Sequence, residues 1–576
     1  MSGPEQSADH VAKVARRALQ QAAGGRPIPE ELVRAVAQGT GDRSTLASRS
    51  RGLFDSLVKP LDLILFDTDR IAAYVFESSR PPILTAGSKI LRDLNQGIAD
   101  DFADEIIFSG GGEGLLLVPS GHGTEICDQI RQRYALKTGG TLGVTADFLA
   151  VAPEDFLPGP GPSESPHEGV RLVSGTQAVL SRLRDRIRDR KNSRLPDRAA
   201  VPGTGPRCVS CRDRQAGSMR SPRKDLDGQS EGGLCTPCGL RLEVGREVID
   251  GYSFQDLVDN FKATLGDRAH GARSQYLGFL YADGNSMGNL FGRLPSLVDL
   301  RFASLAIARV FARTSERLRE DVASQLPPRK ALLSLLGGGD EAIWILPGAL
   351  AVRAAEQLDS WIGEAAAEIP GLSSLLAKIA SPRLTFGAGL VLCDLAFPVR
   401  YQYELANALL KNAKSMFRGE PGTEIVSSID FAVLTDSSPL SEDLDAARKL
   451  AWKTAEPDFL RTCRPYTCAG FSDLLATARR ANEAHLGKSQ LYALQTGAAE
   501  GRRVFLNHLR YQMARPPAGK GYQKWIGLTT FADPEGVERF FLRRLPAQGA
   551  ATHGTWIPDL LELKPFLDLL EAGEDT

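Results

Sequence analysis

Cysteine is scarce in this chain, eight in 576 residues, too few to form a disulfide scaffold over that length. Long apolar runs are missing as well: nothing approaches the roughly 18 consecutive residues a transmembrane helix needs. The opening stretch MSGPEQSADHVAKVARRALQQAAGG has no apolar segment of the kind a secretory signal carries. The expectation is a cytoplasmic protein with no membrane contact. An excess of one charge is also lacking, since the formal net charge is −1, and a global electrostatic pull toward nucleic acid is thereby excluded. Locally the picture differs. The stretch from Arg182 to Lys224 is strongly basic, which points first to a solvated helix face and loop, and second to a surface for phosphates.

What is present is an ordinary globular composition, 42% hydrophobic and 24% charged, long enough for roughly three to five domains. The most informative segment is SLLGGGDEAIWILP, residues 334–347. Two strand-like apolar runs are joined by glycines, the usual sign of a tight turn, yet Asp340 and Glu341 sit where a strand disfavours carboxylates without a partner. A divalent cation is such a partner. Mg²⁺ is held by one or two carboxylates plus phosphate oxygens, and the neighbouring Gly338 and Gly339 let a triphosphate approach the backbone.

Around this hairpin the order is β-α-β-β-α-β. YLGFLYADGNSMGNLF (276–291) gives a strand ending near Asp283, the hairpin follows a long amphipathic helix, and RLTFGAGLVLC (383–393) gives a fourth strand before YQYELANALLKNAKSMF. That order brings Asp283 beside Asp340. The upstream half repeats it: LDLILFDTDR ends in Asp67, and FSGGGEGLLLVP copies the hairpin. In this copy Glu113 is expected at the place of Asp340 with Gly114 replacing the second carboxylate, so the first palm is expected to be degenerate. Between the copies stand Cys208-x-x-Cys211 and Cys235-x-x-Cys238, a tetrahedral Zn²⁺ signature that leaves no open position for catalysis. Cys127, Cys393, Cys463 and Cys468 have no such spacing and are expected as core or surface thiols. His485, His508 and His553 are scattered without ligand spacing.

The expected organisation is α+β: an N-terminal helical segment (1–50), a degenerate ferredoxin-like palm (51–160), a basic helical insert with the zinc site (161–270), a catalytic palm (271–435) and an α-helical domain (436–576). In this combination the chain resembles the large palm-domain subunit of type III CRISPR effector complexes. The strings that carry the resemblance are FDTDRIAAYVFESSRPPILTAGSKILRDLN, YADGNSMGNLF, LGGGDEAIWILP and YQYELANALLKNAK.

The resemblance implies synthesis of cyclic oligoadenylates from ATP as antiphage second messengers, switched on by guide and target RNA, with small effector subunits as partners. It implies a two-metal Mg²⁺ or Mn²⁺ site on Asp283, Asp340 and Glu341. Gly338, Gly339, Asn285 and Lys414 would bind nucleotide, with Lys411 a poorer candidate than Lys414, and Asp67 and Glu113 would border a second nucleotide position. Four departures bear on this. Glu341 replaces the family's second hairpin aspartate, and Asn285 replaces the last aspartate of its D-G-D segment. No adjacent His-Asp pair of the family's nuclease domain occurs, so cleavage of single-stranded DNA is not expected. The chain is also short for the family, which allows a stand-alone relative. Two rivals remain: a GGDEF-type cyclase, disfavoured because Ala342 follows Glu341, and a silent scaffold whose palms hold nucleotide or RNA without turnover.

Overall fold

The structure, a computed structural model, describes the chain except residues 1–2, 55–57, 161–171, 194–204, 218, 221–232, 249–252, 267–272, 326–331, 379–382, 417–424, 436–447, 449–451, 457, 516–517, 527–533, 546–551 and 572–576. Helix α1 (Pro4–Ala22) is followed by helices over Glu30–Gln38 and Arg43–Leu53. The first sheet contains β1 (Leu61–Thr68), β2 (Ile106–Gly110), β3 (Glu113–Pro119) and β4 (Val144–Val151), with α2 (Pro81–Asp101) and α3 (Gly123–Thr138) as crossovers. Its order is β2-β3-β1-β4, the ferredoxin-like arrangement. After α4 (Gly175–Ser193) the plan recurs: β5 (Tyr276–Gly284), α5 (Leu297–Gln325), β6 (Leu333–Gly338), β7 (Glu341–Pro347), α6 (Gly348–Ala367), β8 (Phe386–Asp394) and α7 (Val399–Ser415), in the order β6-β7-β5-β8.

Both central strands are apolar on both faces because both faces are covered. In β1, Leu61, Leu63 and Leu65 face one core while Ile64 and Phe66 face the other; in β5, Leu280 and Ala282 alternate in the same way with Leu277, Phe279 and Tyr281. The N-terminal helices are part of the first core, since Val11, Val14 and Leu19 of α1 pack with the β1 leucines and His10 Nε2 bonds the Ile106 carbonyl at 2.8 Å. The second core joins the two palms, and Phe76 from the first lies stacked on Tyr403 of the second at 4.4 Å.

The second sheet continues past the expected palm. Strand β9 (Ser428–Val433) runs parallel to β8, and β10 (Tyr466–Thr467) pairs with β9, so residues beyond 435 complete it. The C-terminal part is also not purely helical: Phe459–Leu460, His553–Thr555 and Leu542–Arg544 form a three-stranded sheet. The segment SEDLDAARKLAWKT (441–454), expected to be helical, lies mostly outside the described residues.

Candidate active site

Register fixes the site. In the second palm Glu341 pairs across the sheet with Asp283, and the Gly284 amide donates to the Asp340 carbonyl at 2.9 Å, which pins the hairpin tip over the end of β5. The first palm repeats both contacts: Glu113 pairs with Asp67, and the Thr68 amide donates to the Gly112 carbonyl at 2.8 Å. Glu113 therefore corresponds to Glu341, not to Asp340 as the sequence comparison suggested. The carboxylate missing from the first palm is that of Asp340, whose place Gly112 takes. A run of three glycines allows a slip of one residue that only strand pairing removes.

The two hairpin tips meet. Gly111 and Gly339 both have positive φ, 63° and 78°, and a Cβ on Gly111 would sit 3.4 Å from the Gly338 carbonyl oxygen. Around this contact the helices exchange partners, with α2 of the first palm packing on β6 and α5 of the second on β2. The result is a pseudo-two-fold pair, and a cleft of about 710 Å³, open mouth included, lies beside it. Arg92, Asn95 and Gln96 of α2 face Gly338, Gly339 and Glu341 across this cleft. Counted from the paired aspartates, their counterparts on α5 are Ala308, Phe311 and Ala312, so of these two helices α2 alone carries polar side chains at these positions. Sequence reasoning missed these three residues, which sit in an ordinary amphipathic helix.

Asp340, Glu341 and Asp283 repel one another. Burial, and then the Asp283 charge, raise the Asp340 carboxyl to about 7. Glu341 is raised by burial as well, with Asp283 adding to the effect, although Tyr281 donates to its Oε2 at 2.9 Å. Lys414 Nζ lies 2.6 Å from Asp283 Oδ2 and 2.7 Å from the Gly284 carbonyl. Its stem crosses the sheet over Gly387, where a Cβ would lie 2.5 Å from Lys414 Cγ. Lys411 is exposed. The Asn285 side chain is buried and engaged with Thr385 Oγ1 at 3.2 Å and the Val426 carbonyl at 3.4 Å.

The first palm has its own built-in cation. Lys191, near the end of α4, is 2.7 Å from Asp67 and 2.9 Å from Asp69, the helix position that corresponds to Lys414. Burial opposes its charge, but the hydrogen bonds to both aspartates prevail and hold it protonated. Glu113 is pushed up by burial, with Arg184 and Lys191 acting against this. Of the basic run where it is described, Lys191 turns to the first palm while Arg182, Arg186, Arg188 and Arg190 stay exposed. Arg186 and Arg190 both bind the buried Asp147 from the solvated helix face that the sequence suggested.

The donor set of the second palm, three carboxylates at adjoining strand ends with the Asp283 charge raising the proton affinity of Asp340 and Glu341, fits a hard divalent cation. Their oxygens are not drawn to one point. Among the described residues, the one group of three or more His, Cys, Asp or Glu side chains with ligand atoms within 4.8 Å is Cys208, Cys211, Cys235 and Cys238. The Cys211 and Cys235 sulfurs are 3.8 Å apart, the edge of a tetrahedron with metal–sulfur bonds of about 2.3 Å. This module docks on the first palm. Arg241 is buried, reaches the Tyr74 carbonyl at 2.8 Å and Glu77 at 2.9 Å, and lies 3.8 Å over the Tyr74 ring. Ser210 bonds Ser78 at 2.8 Å. Cys127, Cys393, Cys463 and Cys468 are all buried.

Comparison with known proteins agrees with this geometry. The family model for the Cas10/Cmr2 second palm domain matches residues 276–420. No curated protein matches the chain in sequence. Among solved structures, Csm1 of T. onnurineus aligns at a TM-score of 0.53 with 14% identity, covering 90% of this chain and 71% of that one. A Csm1–Csm4 cassette in complex with pppApApA aligns at 0.51, with 14% identity over 95% of this chain and 72% of that one. The cassette in complex with AMPPNP aligns at 0.50, with 15% identity over 90% and 72%. No helix of the described residues is long and apolar enough to cross a membrane. Residues 276–420 thus match a Cas10/Cmr2-type second palm, set in a mixed α+β fold like that of Csm1.

Proposed function

We propose that the second palm is a nucleotidyltransferase site that joins ATP, or another NTP, into cyclic or linear oligonucleotides. The observation that carries this reading is the placing of Asp283, Asp340 and Glu341 on adjoining strand ends at one glycine tip, with the polar face of α2 opposite. Asp283, Asp340 and Glu341 would hold Mg²⁺ or Mn²⁺, which when bound would stabilise charge on the entering and leaving oxygens. Gly338 and Gly339 leave the backbone open to a triphosphate. Lys414, already aimed at Asp283, is the cation for phosphate oxygens, and Arg92 is a second one reaching across from the first palm. Gly112 and Lys191 make the first palm a nucleotide platform without turnover. Asn285, engaged with Thr385 and Val426, supports the end of β5 and only borders the nucleotide. The four-cysteine module is assigned to structural Zn²⁺.

Complexes with Csm4 among the structural neighbours support a partner subunit of that kind, and guide or target RNA is proposed as the activating partner on the resemblance alone. The test is pyrophosphate release from each NTP with Mg²⁺ or Mn²⁺, with and without RNA. No release under any of these conditions would favour the silent scaffold, a reading that the internal Lys414–Asp283 ion pair also suits.

Arg92→Ala is expected to raise KM for NTP about tenfold while kcat falls less, because an exposed cleft arginine acts mainly in binding. Steady-state kinetics at saturating metal check it, and an unchanged KM would remove Arg92 from the site. A second expectation concerns pH. With its carboxyl raised to about 7, Asp340 favours the metal-free fold while protonated, and this contribution is lost as pH rises through 7. Metal and proton compete there, so Mg²⁺ or Mn²⁺ should raise Tm more at pH 8 than at pH 6. Equal shifts in thermal melts at both pH values would contradict this.

A further inference from the structure

Helices α8 (Lys488–Ala499) and α9 (Arg502–Ala514) form a hairpin far along the chain from the palm residues. Gly497 permits their close contact, since a Cβ there would lie 3.3 Å from His508 Cβ. Leu491, Leu494 and Ala498 of α8 and Phe505, Leu509 and Met513 of α9 are buried and take the inner face. The outer face of α9 is different in kind. Arg503, Asn507, Arg510 and Tyr511 follow one another at i, i+4, i+7 and i+8, and all are exposed. Arg515 comes directly after, its guanidinium 5.8 Å from the Tyr511 ring. From Arg503 to Arg515 this line of cations is about 18 Å long at 1.5 Å per residue.

Charge and aromatic exposure coincide here. Residues 484–526 carry seven lysines and arginines against one glutamate, in a chain whose net charge is −1. Among the described residues Arg503, Arg510, Arg515 and Lys488 form no ion pair, whereas Arg502 is paired with Glu538. Tyr492 and Tyr511 are 53% and 57% exposed.

We propose that this face binds single-stranded nucleic acid, the arginines meeting phosphates and the two tyrosines stacking on bases. An acidic protein would satisfy the guanidinium groups but leave both rings in water, and a duplex keeps its bases stacked on each other. A single strand offers phosphates and open base faces together. The reading is independent of the nucleotidyltransferase assignment, because it concerns binding without NTP.

The test is fluorescence anisotropy of the full chain with labelled 20-nucleotide U-RNA and dT-DNA, without NTP, over a salt series. The triple variant Arg503→Glu, Arg510→Glu, Arg515→Glu is expected to bind at least about tenfold more weakly, with the log–log salt slope reduced by about 2. Tyr511→Ala is expected to weaken binding about tenfold with the slope unchanged, and keeps the test valid should the triple variant fail to fold. The control Arg16→Glu, Arg49→Glu, Arg400→Glu makes the same net change elsewhere and should bind like the parent; preference for RNA or for DNA identifies the natural strand. Three results would overturn the proposal: equal losses in control and triple variant, unchanged binding in the triple variant and Tyr511→Ala, or displacement of the strand by polyglutamate as readily as by unlabelled oligonucleotide.

Discussion

Asp340→Ala is expected to lower the rate of nucleotide joining by about 10²-fold or more, in the range seen when one preorganised electrostatic group is removed from a site. The fold should survive. In the metal-free protein this carboxyl is held near neutral pH by burial and by Asp283 and Glu341, so its removal relieves repulsion and Tm without metal should hold or rise. What should vanish is the gain in Tm on adding Mg²⁺ or Mn²⁺. The matched variant in the first palm is Asp67→Asn, where Lys191 and not a metal faces the carboxylate, and its effect on rate should stay within a few fold. Kinetics and melts of the two variants side by side check the account. Equal losses from both would mean that the palms share the chemistry and that Gly112 does not disable the first.

Cys235→Ser is expected to have the largest effect on stability. Structural zinc at such sites has apparent binding energies of about 10–16 kcal/mol, comparable with the whole stability of a typical domain at about 5–15 kcal/mol. Losing one of four thiolates should therefore unfold the module and strip Glu77 of its two arginine partners, Arg214 and Arg241. The damage would reach the first palm. Gly245 of the helix Thr236–Val248, which carries Cys238, abuts Pro82 at the start of α2, the helix that presents Arg92 to the cleft. Limited proteolysis between 205 and 248, together with zinc content by mass spectrometry, measures the outcome. A variant with unchanged melting and cleavage would show that the cysteines need no metal.

Much of the site was legible in the sequence because its chemistry is local. Glycines beside carboxylates at a strand junction, repeated once, point to paired palms, and two Cys-x-x-Cys knuckles announce themselves by spacing. What was not legible depends on register and on distant packing. Glu113 was matched to the wrong carboxylate because nothing within GGGE says which glycine stands for Asp340. Lys191 was lost inside a run of like charges, and only the fold shows that it turns to Asp67 while Arg186 and Arg190 turn to Asp147. Arg92 has the spacing of any exposed helix residue; its role arises because α2 crosses to the other palm. The short strand β10 lies beyond the expected palm boundary and carries too few residues to show a period.

The most direct test of the central claim is to incubate the full chain with each NTP and Mg²⁺ or Mn²⁺, with and without cellular RNA, and resolve the products by mass. Expected are cyclic products whose masses are whole multiples of a nucleoside monophosphate less one water, or linear ones heavier by the 5′-triphosphate end, with one pyrophosphate released per bond, absent from Asp340→Ala and present in Asp67→Asn. Intact triphosphate as the sole species in every reaction, while nucleotide binding persists, would contradict it.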